Sequence, residues 1–534
     1  MLDEPARRNP IRTAALCALG VAALALGYLI LENLVLAPRR QAAELATVAQ
    51  IVEQAQRNDA TPAPPTDNSI AVLPFVDMSP GKDQEYMSDG ISEELLNLLA
   101  KIPQLRVIAR TSSFSFKGKE LDVATIADRL NVAHVLEGSV RKSGNRIRIT
   151  AQLVRASDSS HLWSQTYDRT LDDVFGVQDE ISAAVVAQLR IKLLGAVPTA
   201  PKSSPAAYPL FLQARQLYRQ GTAEGYEQSI ALYQKALKID PGYVPGWVGL
   251  SSAYTNQSAA NLRPIDEGYR LARAALDKAM AIDPDDAPAL ALLAWMAMNH
   301  DGDLAAAARY LDRALALAPD DIGTALNAAR LAQSLGRLDQ AIAFDEFAVA
   351  RDPLNSRGQS NLGFDYMSAG RTDDAIARWR TALALSPGFI GANYSIGAAL
   401  RMQGKPEAAL KATQQETSDV WRSIGLPTVY FALGRKADSD AALAELVRLH
   451  ARDAAYNIAC VHAYRGEADQ AFEWLERAVT NRDGGLSDVT VDVELSSLRR
   501  DPRWLPFLRS IGKAPGQLAA IKFDRMPPRD DGEG

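Results

Sequence analysis

Apolar and polar positions change their period three times along this chain. From Thr13 to Leu31 no charged residue occurs, and these 19 residues, at about 1.5 Å each, reach roughly 28 Å, the apolar thickness of a bilayer. Ser69 to Phe75 is a short strand-like apolar run. Beyond it, Val132 to Lys142 and Arg146 to Ala156 alternate in steps of two around Ser143-Gly144-Asn145, the pattern of a hairpin. From about residue 206 the period becomes helical and repeats. Gly302, Gly336, Gly370 and Gly404 stand 34 residues apart, and Pro319, Pro353 and Pro387 each follow one of the first three by 17.

A period of that length predicts stacked helix pairs, each too small to bury its own apolar face. The glycine suits the turn between two antiparallel helices, and the proline stops the second one. Ala307, Ala341, Ala375 and Ala409, with Ala314, Ala348 and Ala382 seven further on, keep one face small enough for close helix approach. Units fall at about 210 to 243, 244 to 286, 288 to 321, 322 to 355, 356 to 389 and 390 to 423. Nine extra residues in the second are expected to loop out between Asn256 and Glu267. The pattern decays at Glu416 and Trp421, and Gly466, Ala471 and Ala478 restore it in a last unit from 452 to 485.

These units resemble tetratricopeptide repeats, with Gly302, Ala307, Ala314 and Pro319 at matching places in one unit and Trp247, Leu250 and Tyr254 in another. The resemblance implies a concave wall lined by each first helix. Carried onto this chain, the wall is Leu292, Met296, Asn299 and His300, then Leu326, Arg330, Gln333 and Ser334. It continues with Ser360, Phe364, Met367 and Ser368, then Tyr394, Ala398, Arg401 and Met402. Such a mixture suits an amphipathic or extended peptide.

Between the apolar run and the repeats lies a different unit. A helix is expected from Asp89-Gly90 through about Lys101, with Glu93 and Glu94 near its positive end. A strand follows at Leu105 to Ala109, a helix at Val123 to Asn131, a strand at Leu162 to Tyr167 and a long helix at Leu171 to Leu194. The stretches Ile70-Ala71-Val72-Leu73-Pro74-Phe75, Asp89-Gly90-Ile91, Val107 to Ser112, Val135 to Val140 and Leu162-Trp163-Ser164 resemble the domain related to the amino-terminal part of TolB and to flagellar outer-membrane assembly proteins. Relatives of that type frequently carry a CadC-type DNA-binding domain or a nucleotide cyclase upstream of a membrane helix. Only 12 residues precede Thr13 here, so neither activity is carried over.

The expected class is therefore mainly α: a solenoid of tetratricopeptide helix pairs following a small α/β domain, with one amino-terminal transmembrane helix. In order, 1–12 is a tail, 13–36 the membrane helix, 37–68 a Pro/Ala-rich linker and 69–195 the α/β domain. The solenoid of seven to eight pairs occupies 206–485, degenerate near 424–451; 486–515 is a cap and 516–534 a disordered tail. Arg7, Arg8 and Arg12 against Arg39 and Arg40 slightly favour an N-terminus inside, leaving the bulk extracytoplasmic at the inner membrane.

Composition narrows the function. A net charge of −6, with no Lys/Arg block, argues against a nucleic-acid surface. Cys17 and Cys460 are too far apart in role for a structural bridge. His134, His161, His300, His450 and His462 lack a second ligand at metal spacing. Gly81-Lys82 and Gly138-Ser139 lack the flanks of a P-loop or nucleophile elbow. Arg110-Thr111-Ser112-Ser113 has the groups to hold an anion, against the plainer reading of a polar strand exit, and Lys117-Gly118-Lys119 reads as a solvated turn. No catalytic residue, metal or cofactor is expected. The chain reads as a membrane-anchored protein- or peptide-binding scaffold, or alternatively as a regulatory subunit whose output domain is on another chain.

Overall fold

A computed structural model describes residues 65–528, apart from 103, 190–197, 200–202 and 261. Strands β1 (Ser69–Val72), β2 (Val76–Asp77), β3 (Arg106–Val107), β4 (His134–Ser143), β5 (Arg146–Arg155) and β6 (His161–Thr170) form one mixed sheet in the order β3-β1-β4-β5-β6, with β2 also along β4. β1 runs parallel to β3 and β4, and β4, β5 and β6 are antiparallel. Successive residues of β1 enter different cores: Ile70 and Val72 join Met87, Ile91, Leu95, Val177 and Ile181, while Ala71 joins Ile108, Ile126, Leu130 and Val135. The first set comes from helices α1 (Glu85–Leu99) and α4 (Val174–Gln188); the second is closed by α3 (Val123–Leu130), and a one-turn α2 (Arg110–Phe114) follows β3. Period-two alternation thus covers both sheet faces. The hairpin pairs Ser143 with Arg146, with Gly144 at φ +59°.

Helix α1 begins four residues before the expected Asp89-Gly90 start. Gly90 has a different duty: a Cβ there would lie 2.6 Å from Leu212 Cδ2, so the missing side chain lets the first solenoid helix approach. Asp89 is held by Lys117 at 2.7 Å, and Lys117 also reaches Glu85 at 2.6 Å, so the basic turn is ion-paired.

Among the described residues, sixteen helices follow as eight antiparallel pairs. They are α5 (Tyr208–Tyr218) with α6 (Ala223–Ile239), α7 (Val244–Ala259) with α8 (Ile265–Ile282), α9 (Ala287–Met296) with α10 (Leu304–Leu317), and α11 (Ile322–Ser334) with α12 (Leu338–Arg351). Then come α13 (Ser356–Ser368) with α14 (Thr372–Leu385), α15 (Ala392–Met402) with α16 (Pro406–Gln414), α17 (Asp419–Ala432) with α18 (Lys436–His450), and α19 (Ala455–Tyr464) with α20 (Ala468–Asn481). The glycine ruler has its expected cause: Gly302, Gly336, Gly370 and Gly404 lie at φ +69°, +73°, +78° and +71°, a region costly to any residue with a Cβ. Ala307, Ala341, Ala375 and Ala409 are fully buried. Asp286, Asp303, Asp321 and Asn355 cap their helices by accepting from backbone N–H groups.

Two expectations are corrected. The extra residues of the second unit do not loop out; they lengthen α7 and α8, leaving only 260–264 between them. Ser251 and Ser258 are fully buried there, and Gly268 brings α8 against Ser258 Oγ, so polarity of this stretch marks close packing. Nor is the chain beyond 516 a disordered tail as far as 528. After two 3-10 segments (Gly484–Asp488 and Val493–Arg500) and α21 (Trp504–Ser510), the short α22 (Pro515–Ala519) delivers Leu518 and Phe523 to the Ala328, Leu331 and Phe344 core. Arg337 donates to Phe523 O at 2.7 Å, and Gln340 donates to Phe523 O at 3.0 Å and Arg525 O at 2.6 Å. Among the described residues no helix is long and apolar enough to cross a membrane; Thr13 to Leu31 lies outside them.

Candidate concave binding site

The sheet domain docks on the solenoid through a shared apolar core, in which Ile91 and Phe175 join Tyr208 and Leu212, and through a cluster of buried charges. Glu93 and Glu94 of α1 are 7% and 8% exposed. Arg215 of α5 meets Glu94 at 2.6 Å and Glu93 at 3.5 Å, Arg219 also pairs with Glu93, and Arg110 Nε donates to Glu93 at 3.1 Å. Burial pushes the Glu93 carboxyl up, but Arg215, Arg219 and Arg110 outweigh it and hold it below the usual range. Burial and the neighbouring Arg219 bring Arg110 down to about 10. A second contact lies at the end of α12, where Ser112 donates to Asp352 from Oγ at 2.6 Å and from N at 3.0 Å, and accepts from Leu354 N at 2.9 Å. Of the Arg110-Thr111-Ser112-Ser113 cluster, Arg110 is thus engaged by Glu93 and Ser112 by Asp352, both acids of this chain.

The concave side of the later pairs encloses a cavity of about 510 Å³. Of the expected wall, Leu326, Arg330, Gln333, Phe364, Met367, Ser368, Tyr394 and Ala398 line it. The rest go elsewhere. Met296 is buried in the core and Leu292 packs against it. Asn299 donates to Trp295 O at 2.9 Å, and His300 stacks on Tyr269 at 4.2 Å with Asp301 at 2.9 Å from its Nδ1. These last residues sit in a π-helical turn, Ala297–Asp301, which shifts the register that the repeat implies. Ser334 and Ser360 are buried, Met402 is 40% exposed, and Arg401 is buried in an ion pair with Glu494.

The segment after α20 folds back over this wall. Arg330 donates to Ser487 Oγ at 2.7 Å and reaches Asp488 at 3.1 Å, and Lys513 donates to Ser487 O at 2.9 Å. Burial brings Lys513 down to about 8, with Asp488 opposing and Arg330 reinforcing the shift. The segment adds Asp483, Asp488, Asp492 and Glu494 to the lining. Asp492 accepts from Tyr456 Oη at 2.8 Å and Glu494 N at 2.9 Å, and Asp483 accepts from Tyr456 N at 2.9 Å and Gly485 N at 3.0 Å. Burial raises Asp492, and it raises Glu494 in spite of Arg401.

Two further carboxyls complete the lining, Asp345 of α12 and Asp365 of α13, both 3% exposed. They hydrogen-bond each other. Burial lifts both above the carboxylate range, and Asp365 reaches about 7 although Asp345 and Arg330 pull it down. The repeat periodicity did not point to either, because it marks apolar and small positions. An acidic residue directly after Phe364 on a wall helix was the available signal. Among the described residues no group of three or more His, Cys, Asp or Glu side chains converges as a metal site.

Comparison with known proteins agrees with two parts of this organisation. Residues 66–184 match the family described as HilA/YgeH-like transcriptional regulator, second domain, and residues 266–322 and 361–418 match the tetratricopeptide repeat. The putative adenylate cyclase 3 of Rhizobium meliloti (strain 1021) is 39% identical over 245 residues, covering 44% of this chain and 42% of that protein. The tetratricopeptide repeat and J domain-containing co-chaperone DNJ1 of Fusarium oxysporum f. sp. lycopersici is 32% identical over 120 residues, covering 21% and 23%. The chain spans less than half the length of either relative. A solved structure of the human IFIT1 dimer with m7Gppp-AAAA is similar at 16% identity, with 57% of this chain and 77% of that one covered and a TM-score of 0.35. The chain thus carries tetratricopeptide repeats and a domain similar to the second domain of HilA-like regulators.

Proposed function

We propose that this protein is a non-enzymatic scaffold that binds another protein or peptide in the concave cavity of its repeats. In this reading it is held at the inner membrane by Thr13 to Leu31, with its bulk on the extracytoplasmic side and its sheet domain of the TolB amino-terminal type. The observation that supports it most is the cavity of about 510 Å³, lined by side chains from α11, α12, α13, α15, α17 and α19. A groove shared by so many stacked helices presents an extended surface with apolar anchors and oriented polar groups. Crosslinking and pulldown from envelope extracts with the full chain test it. Recovery of a partner that is reduced at least fivefold by Tyr394→Ala with Phe364→Ala is expected. Equal recovery by an unrelated repeat protein would sink the reading.

A second reading is favoured by the match of 66–184 to a regulator domain and by the cyclase-named relative. Here the chain is a sensory or regulatory subunit, and its output domain lies on a separate chain. Co-purification of a helix-turn-helix or cyclase protein distinguishes this reading from a general scaffold.

A further inference from the structure

The cavity's charges do not balance. Arg330 is spent on Gln333, Ser487 and Asp488, Arg401 on Glu494, and Asp483 and Asp492 on backbone N–H groups and the Tyr456 hydroxyl. The Asp345–Asp365 pair has no directly bonded cation. Its Asp345 Oδ1 is buried and unpartnered in a side chain that is 3% exposed and lines the cavity. A buried acceptor left this way loses its hydration with nothing in return. The same cavity presents the rings of Phe364, Tyr394, Trp421 and Tyr456, with Tyr394 and Trp421 at 5.1 Å between centroids. Carboxylates beside aromatic faces attract an organic cation through both charge and ring quadrupole.

We propose that this cavity is a binding site for an ammonium or guanidinium group, which pairs with the Asp345 and Asp365 carboxyls among these rings. The proposal rests on the concave cavity being the binding surface and names the chemistry that the surface selects. The cation has two possible sources, a free small amine or a Lys/Arg side chain of a bound peptide. On binding, the proton shared by the two carboxyls leaves to solvent and both oxygens face the positive charge. Arg330 of α11, Asp488 of the 484–488 segment and Lys513 beside them are the other charges that face the pair. Once that proton has left, the net sign there is acidic, with Asp345, Asp365 and Asp488 against Arg330 and a partly neutralised Lys513.

Calorimetric titration of the full chain with n-butylammonium and n-butylguanidinium at pH 8 tests this, with n-butanol as the neutral isostere. Both probes keep their charge from pH 5.5 to pH 8. The expected result is saturable binding of a cation at least tenfold tighter than the alcohol, weakened at least tenfold at pH 5.5 and abolished in Asp345→Asn/Asp365→Asn. A capped Ala-Ala-Arg-Ala-Ala peptide identifies the source. Affinity tenfold above n-butylguanidinium supports a side chain, and equal affinity supports a free cation. No cation preference over the alcohol in the wild type, or unchanged binding in a folded double variant, overturns the proposal. Because the probes are small, their failure with partner capture intact removes only the cation site, and success without any captured partner removes only the scaffold.

Discussion

Glu93 at the junction and Asp365 in the cavity are 7% and 3% exposed, yet burial ends in opposite protonation. Three arginines converge on Glu93, so its carboxyl stays ionised well into acid. Asp365 faces another carboxyl and only the already engaged Arg330, so it keeps a proton to about 7. Depth alone therefore does not decide whether a buried acid is a structural element. Its complement of countercharge does. The junction is a satisfied network that joins two parts of the fold, and the cavity holds an acid pair with one buried oxygen left unpartnered.

The largest effect should come from removing the countercharge at the junction. Arg215→Ala leaves Glu93 and Glu94 buried without their main partner and is expected to cost about 3 to 5 kcal/mol, read as a lower midpoint in denaturant unfolding. A loss below about 1 kcal/mol would make the two clusters energetically alike.

The opposite sign is expected in the cavity. Folded Asp365 binds its proton up to about 7 and an unfolded one only to about 3.9. Between these values the folded chain carries the extra proton, so stability falls as pH rises through the window. Asp365→Asn removes that penalty and can donate to Asp345, so it should stabilise by about 2 kcal/mol at pH 8 and by nothing near pH 4. Thermal unfolding at the two pH values checks this, and destabilisation at pH 8 would contradict it. The smallest effect belongs to the neutral contact: Ser112→Ala removes hydroxyl bonds to Asp352 and Leu354 and should cost about 1 to 2 kcal/mol. An effect as large as that of Arg215→Ala would shift the anchor of the sheet domain from α5 to the end of α12.

The sequence showed the parts of this molecule that repeat and missed those that occur once. The positions of Gly302 to Gly404 and the buried alanines were readable because each turn demands the same backbone and each interface the same small volume. The hairpin at Gly144 was readable for a similar local reason. The partners Arg215 and Glu94 are 121 residues apart and Ser112 and Asp352 are 240 apart, and no periodicity relates them. Leu518 and Phe523 are too sparse in a polar stretch to suggest an element, though Phe523 ends 1% exposed. At the site, Arg330, Phe364 and Tyr394 followed from the repeat. His300 did not reach the cavity: the lining begins one unit later, at Leu326, and the ring stacks on Tyr269 instead. Asp345 was hidden because it comes from a second helix, which the repeat assigns to the convex layer.

Residues 484–525 leave the last helix pair and fasten to α11 and α12, four pairs earlier, through Arg330, Arg337 and Gln340. A stack of paired helices is ordinarily a spring, free to open or tighten by small changes summed over many interfaces. This one has a chord strung across its arc. The arc is tied at Arg330, inside the cavity, and at Phe523 on Phe344, so widening it means breaking contacts between parts of the chain that are not neighbours in the stack.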